Sequence, residues 1–289
     1  MLPQTARRRD NAGMRRYDLH CHSTRSDGLL TPAEIVQRAA ARGVDVLALT
    51  DHDEVAGLEE AQAAARDTAL QFVCGSELSV SWEDVTLHVV ALRIDPTHGG
   101  FLAGLESIRS GREGRGRRIA DALEAAGIPG AWEGARRYVT SERLISRTHF
   151  ARFLVDAGHA RETKDVFSRF LSPGLPGYVE HAWATLPQAI GWIHAAGGDA
   201  VLAHPGRYKV TKSGLRRLLD DFRDAGGDAI EVVSPSHTSE QVDQFGALAR
   251  VYGFRGSAGS DYHGPGESYV DLGDVPPLPS GVTPVWTNW

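Results

Sequence analysis

Asp18-Leu19-His20-Cys21-His22-Ser23, followed by Ser26-Asp27-Gly28, is the stretch on which the reading of this 289-residue chain turns. His20 and His22 stand two residues apart at the end of a short extended run, Tyr17-Asp18-Leu19. On extended backbone, residues i and i+2 point to the same side. Two neutral imidazoles so placed can chelate one divalent ion. A single pair would read as two polar residues at a strand end. The pattern recurs, however. Asp261-Tyr262-His263 repeats the spacing, and His52 and His204 each stand just behind another apolar run. Four coincidences at strand ends favour a metal centre.

Outward from this stretch the chain alternates. Thr31-Pro32-Ala33-Glu34 has the order of a helix start, with a Thr N-cap, Pro at the first position and Glu at the third. Val46-Leu47-Ala48-Leu49-Thr50 is a continuous apolar run, the mark of a strand covered on both faces, and it delivers Asp51-His52-Asp53. A helix over 57–68 precedes Phe72-Val73-Cys74-Gly75, with Glu77 behind it, and the strand over 86–92 holds His88. After residue 183 the rhythm resumes: helices over 186–196, 215–225 and 240–252 separate Ala200-Val201-Leu202-Ala203, Ala229-Ile230-Glu231-Val232-Val233 and the strand over 255–259. Seven strands interleaved with helices imply a parallel α/β architecture. In a βα barrel the C-terminal strand ends share one face, where the clustered ligands would meet.

Between residues 101 and 183 helical patterns dominate without a clear buried strand, which reads as an all-helical insertion. The expected organisation is a flexible tail over 1–16, barrel segments over 17–100 and 184–289, and the helical insertion between them as a substrate cap. The series Arg109, Arg112, Arg115, Arg117 and Arg118 falls in one helix, and its five members do not share a narrow face. A solvated face is the expectation there, against a track for RNA.

Hydrophobic residues make up 42% and charged residues 24%, the balance of a soluble globular protein. A formal charge of -6 argues against non-specific coating of nucleic acid, and no DNA partner is expected. Two cysteines, Cys21 and Cys74, make no disulfide framework. The arginine-bearing N-terminus lacks the apolar core of a secretory signal, and no run is long enough to span a membrane. A cytoplasmic location follows as the expectation.

The motifs D-L-H-C-H-S, S-D-G, T-D-H-D, the lone Glu77, the strand residue His88, A-H-P-G and S-D-Y-H together resemble those of the PHP (polymerase and histidinol phosphatase) family, in order and over nearly the whole chain. The resemblance implies a distorted seven-stranded (β/α) barrel and two or three divalent ions, manganese first, with iron or zinc as alternatives. It implies one ion on His20, His22, Glu77 and Asp261, a second on Glu77, His88 and His204, and a third on Asp27, His52 and His263. Asp27 stands where several relatives carry histidine. Ile145-Ser146-Arg147-Thr148-His149, Pro176-Gly177-Tyr178-Val179 and Ala203-His204-Pro205-Gly206-Arg207-Tyr208 resemble the branch of nucleoside 3',5'-bisphosphate phosphatases, to which the ribonuclease RNase AM is related. This implies Arg147 and His149, with Arg207 and Tyr208, as contacts to a nucleotide or short RNA. His263, Asp53 or a metal-bound water is the expected proton donor to the leaving group. Histidinol-phosphate phosphatase and a catalytically idle PHP module are the rival readings.

Overall fold

The computed structural model describes residues 15–140 and 144–289. Most of the expected tail lies outside these. At its inner edge Arg16 is anchored: its backbone N–H donates to Asp45 Oδ2 at 2.7 Å and its guanidinium to the carbonyl of Arg42 at 2.8 Å.

One eight-stranded sheet is present among the described residues, with β1 (Tyr17–Asp18), β2 (Val46–Leu49), β3 (Gln71–Trp82), β4 (Val85–Leu92), β5 (Ala184–Thr185), β6 (Asp199–Leu202), β7 (Ala229–Val233) and β8 (Arg255–Ala258). Its path runs β1-β2-β3-β4-β6-β7-β8, with β5 added beside β3. The seven strands of that path nearly close into a barrel. Leu19 N–H donates to Ala258 O at 3.0 Å and His22 N–H to Tyr262 O at 2.8 Å. The Asp18 carboxylate accepts from the backbone N–H groups of Ser260 (2.8 Å) and Gly273 (3.1 Å) across the same seam. Burial pushes Asp18 up to about 6, against the pull of these donors.

The expected parallel order fails at one strand. β4 is antiparallel to both β3 and β6. Only Glu83 and Asp84 separate Trp82 from Val85, and two residues suffice for a hairpin but not for a parallel crossover. Glu83 takes the positive φ, 47°, that such a turn demands. As a result Glu77 lies inside a long strand and not behind a short one, and His88 arrives from the opposite direction.

β2 shows why both sheet faces are apolar. Val46 and Ala48 join Leu19, Val73, Val90, Val201 and Val285 inside the barrel. Leu47 and Leu49 face outward to Ile35, Val36 and Ala39 of α1 (Pro32–Ala41) and to Leu58 and Ala61 of α2 (Leu58–Ala65). α1 starts as expected, Thr31 and Glu34 forming a reciprocal capping box.

The segment between β4 and β5 is helical: α3 (Gly99–Ala125), α4 (Ala131–Arg136), α5 (Arg147–Asp156) and α6 (Thr163–Val166), the last continuing as a π-turn over Phe167–Leu171. These helices share a second core of Ile119, Leu123, Ile145, Phe150, Leu154, Val166 and Leu171. α7 (Leu186–Ala195), α8 (Lys212–Asp224) and α9 (Ser239–Tyr252) complete the outer layer.

A Cβ at Gly259 would stand 2.3 Å from His20 Cβ and 2.8 Å from His20 N. Gly259→Ala is therefore expected to cost about 1–3 kcal/mol, the usual range for overpacking, read as a lowered urea midpoint at unchanged slope. It should also weaken metal binding, because His20 must move.

Candidate metal centre

The barrel seam and the β3–β4 hairpin bring the dispersed ligand candidates to one rim. His20 Nε2 and His22 Nε2 lie 3.2 Å apart, each 3.4 Å from Glu77 Oε2. Asp261 Oδ1 lies 3.6 Å from the first nitrogen and 3.3 Å from the second. Spacings of this length are those of donor atoms about 2.1 Å from a shared divalent ion, the bond length of zinc to nitrogen and oxygen donors. The other oxygen, Glu77 Oε1, is 2.8 Å from His88 Nδ1 and 3.0 Å from His204 Nε2. Asp27 Oδ1 faces His263 Nε2 at 3.5 Å, His52 Nε2 at 3.8 Å and His22 Nδ1 at 4.0 Å. The residues named from the sequence reach one rim, but they group differently from the expected sets: ligand atoms lie together as His20, His22 and Asp261, as His20, Glu77 and His204, as His52, Glu77 and His88, and as His22, Asp27, His52 and His263. His22 borders the third group as well as the first, and His52 Nδ1 also approaches Glu77 Oε2 at 2.9 Å.

The donors fit divalent ions. Glu77 Oε2, Asp27 Oδ1, His22 Nδ1, His52 Nδ1 and His88 Nδ1 are buried without a hydrogen-bond partner. Each such atom costs about 1–3 kcal/mol when left unsatisfied, so five converging on one rim call for cations. Burial would raise Glu77, but the imidazoles of His88, His52 and His20 outweigh it and hold the carboxyl well below its usual range. Burial, then the His263 and His52 imidazoles, press His22 down to about 3, and burial takes His88 to about 4. Both are neutral lone-pair donors at physiological pH. Three residues at the rim, Asp53 (φ 49°), His204 (φ 29°) and Asp261 (φ 46°), adopt backbone that L-residues avoid. Strain of this kind costs on the order of 1–3 kcal/mol per residue and persists where the surroundings enforce it, typically at functional sites.

One carboxylate escaped the sequence reading. Glu231 is 1% exposed in the middle of β7. Its Oε1 is 2.6 Å from His20 Nδ1 and its Oε2 accepts from the backbone N–H of His204 at 2.5 Å. A carboxylate behind an imidazole fixes the tautomer, here with the Nε2 lone pair turned to the centre. The signal was legible: a glutamate inside Ala229-Ile230-Glu231-Val232-Val233 must be paired to be buried.

A model described as the PHP domain matches residues 18–159. Over 273 residues, 94% of this chain and 96% of the other, it is 50% identical to the 3',5'-nucleoside bisphosphate phosphatase of Chromobacterium violaceum. The chain belongs to the PHP family. Over 275 residues it is 43% identical to the 5'-3' exoribonuclease of Haemophilus influenzae, covering 95% of this chain and 99% of that one. An amidohydrolase structure from C. violaceum with bound sulfate and no metal superposes with a TM-score of 0.91 at 50% identity, covering 94% of each chain.

Beside the PHP ligand cluster opens a cleft lined by Glu77, His88, Asp261 and His263 on one side and by Arg112, Arg115, Arg147 and Trp183 on the other. The expectation of a solvated arginine face is corrected here. Arg112 and Arg115 are 5% and 7% exposed, while Arg117 and Arg118 face solvent. The reason is helical register: Ile108, Arg112, Arg115, Ile119 and Leu123 form one buried stripe. Arg115 and Arg147 pair with no carboxylate among the described residues. Arg115 donates to Val179 O at 3.2 Å and Arg147 to Leu171 O at 3.3 Å. Burial, then the neighbouring Arg147 and Arg112, bring Arg115 down to about 9. The Trp183 indole N–H is buried and unpartnered in the same wall.

The other named residues divide. Arg207 lines the cleft and its Nη1 lies 3.0 Å from Asp261 Oδ2. Tyr208 is turned inward, its hydroxyl donating to Ala203 O and accepting from His88 N–H, both at 2.9 Å. His149 is 1% exposed; its Nδ1 accepts from Ser146 N–H at 2.9 Å in the capping box of α5. Asp53 turns to α3, accepting from Ser79 N–H at 2.7 Å and pairing with Arg112.

Two outcomes check this centre. Glu231→Gln keeps the volume and removes the charge behind His20; metal affinity should fall about 10–100-fold by chelator competition, with little change in melting temperature. Burial lowers His263, but the Asp27 and Asp261 carboxylates outweigh it and raise the imidazole to about 9. At pH 7 the metal-free imidazole is then protonated, and an ion on Asp27, His52 and His263 must displace that proton. Calorimetry in buffers of different ionisation enthalpy should show proton release on filling this group, with affinity falling as pH drops below 9.

Proposed function

We propose that this chain is a metal-dependent phosphoesterase that removes the 3'-phosphate from nucleoside 3',5'-bisphosphates, and that the same cleft trims short 5'-phosphorylated RNA from its 5' end. The observation that carries the reading is the pair of guanidiniums, Arg115 and Arg147, that meet no carboxylate among the described residues and face the ligand cluster across one cleft. A substrate with two phosphates fills both walls, one on the ligand groups and one on the arginines. Both relatives described above, a bisphosphate phosphatase and an exoribonuclease, support this substrate class.

His20, His22, Glu77 and Asp261 would hold one ion, Glu77, His88 and His204 a second, and Asp27, His52 and His263 a third, with manganese as the expected metal. Bound divalent ions supply charge neutralisation on the phosphoryl oxygens and an acidified water. Arg207 stands beside Asp261, where it can reach a phosphoryl oxygen of the reacting group. Arg115 and Arg147, with the indole N–H of Trp183, orient the second phosphate, and the helical segment acts as the substrate cap. His263 lines the cleft, its Nδ1–H donating to Asp261 O at 2.9 Å, and is the better placed proton donor to the leaving oxygen. Asp53 is occupied by Arg112 and Ser79. A protonated Nε2 cannot ligate, so the donor role and the third ion are competing uses of one imidazole. A cytoplasmic location fits the reduced cysteines, and no helix among the described residues is long and apolar enough to cross a membrane.

The test is a manganese-supplemented assay comparing adenosine 3',5'-bisphosphate, a 5'-phosphorylated oligoribonucleotide and histidinol phosphate. Turnover of the first two is expected; no turnover of any would sink the enzyme reading. Arg147→Ala should lower kcat/KM on the bisphosphate by about 10–150-fold, the loss of a charged hydrogen bond worth roughly 1.5–3 kcal/mol. On adenosine 3'-phosphate, which lacks the second phosphate, the change should be under about threefold. Equal losses on both would remove Arg147 from that role.

A further inference from the structure

Arg152 lies outside the cleft lining, yet it is 7% exposed and its guanidinium is engaged through Nε and Nη2. Nη2 donates to the backbone carbonyl of Asp27 at 2.6 Å. Nε and Nη2 grip Glu267 bidentately, at 2.8 Å to Oε1 and 2.7 Å to Oε2. The two partners belong to loops 240 residues apart in sequence, and each loop carries a ligand of the third group: Asp27 itself, and His263 four residues before Glu267. The second loop is tied internally, since the backbone N–H of His263 donates to Ser268 Oγ at 2.7 Å. The loops also meet directly, Leu29 N–H donating to His263 O at 2.7 Å. At the N-cap of α5, Ser146 Oγ donates to Asp27 Oδ2 at 3.2 Å, leaving Oδ1 free toward the histidines.

We propose that Arg152 is a positioning residue for the third ion: it clamps the Asp27 and His263 loops to one helix and so sets the separation of their donor atoms. The clamp suits arginine, whose planar fork serves a carboxylate bidentately and a carbonyl at once; a lysine offers neither geometry. The first group is held chiefly by the barrel seam and by Glu231. The clamp therefore acts on one ion and spares the others. α5 also bears Arg147, so the helix that orients the second phosphate is the helix that fixes the third ion's loops. The inference rests on the metal centre and not on the choice of substrate.

The test titrates metal-free wild type, Arg152→Met, Glu267→Gln and Asp27→Asn with manganese by calorimetry, with melting temperatures recorded alongside. Asp27→Asn and Arg152→Met should weaken the same, weakest binding event by about 10–100-fold, the usual effect of removing an outer partner. The tightest event should stay within about threefold of wild type. Glu267→Gln should weaken the same event by a smaller factor. Three results would overturn the inference: Arg152→Met binding like wild type, Arg152→Met weakening every event alike, or Asp27→Asn binding like wild type, which leaves no ion to position. If Arg152→Met does not fold, Glu267→Gln decides, and an unchanged weakest event counts against the clamp. Loss of turnover with normal metal binding in wild type would bear on the substrate reading alone.

Discussion

The Glu77 carboxylate is the constraint around which the rest is arranged. It is 1% exposed, and five imidazoles, those of His20, His22, His52, His88 and His204, approach its two oxygens. A charge so placed is tolerable only with polar or cationic partners in contact, and the fold brings the side chains around it from both ends of the chain. The seam that carries His20 and His22 on one side and Asp261 on the other is closed by Leu19, His22 and Asp18. The strand that carries Glu77 is lengthened beyond its neighbours so that its middle reaches the rim. Glu231 then stabilises the arrangement from behind.

Three further carboxylates beside the candidate ligands are as informative as the candidates themselves. Asp51 accepts from Ser23 N–H and from the Ser23 and Ser26 hydroxyls, which orders the loop leading to Asp27. Asp53 binds Arg112 and Ser79, which docks α3. Asp18 locks the seam. Only His52 of the run Asp51-His52-Asp53 enters the ligand cluster, while its neighbours fasten the elements around it. The helical segment is therefore joined to the centre twice, by α3 through Asp53 and by α5 through Asp27.

Much of this was legible in the sequence because strand ends with paired histidines are rare and geometrically specific. The seven strands and the convergence of the named ligands follow from that pattern. What sequence left out has a common physical character: it depends on which helix face is buried, and that is set by contacts between distant segments. Arg112 and Arg115 read as solvated until placed in register with Ile108 and Ile119. His149 matched a motif, yet its position at the third residue of α5 commits Nδ1 to the cap. Tyr208 follows a ligand closely, but the 3₁₀ turn over Pro205–Arg207 rotates it inward while leaving Arg207 at the cleft. The antiparallel β4 was hidden because an apolar strand reads the same in either direction.

That reversed strand makes the Glu83-Asp84 turn a ruler. In the hairpin register Ser79 pairs with His88 and Glu77 with Val90. The distance between two ligands of one centre is thus set by a count of residues in a solvent-facing turn far from either. Because side chains alternate across a strand, adding or removing one residue there would carry His88 to the opposite face. Surface loops usually tolerate changes of length, but this one sets the register of two candidate ligands at the other end of its strands.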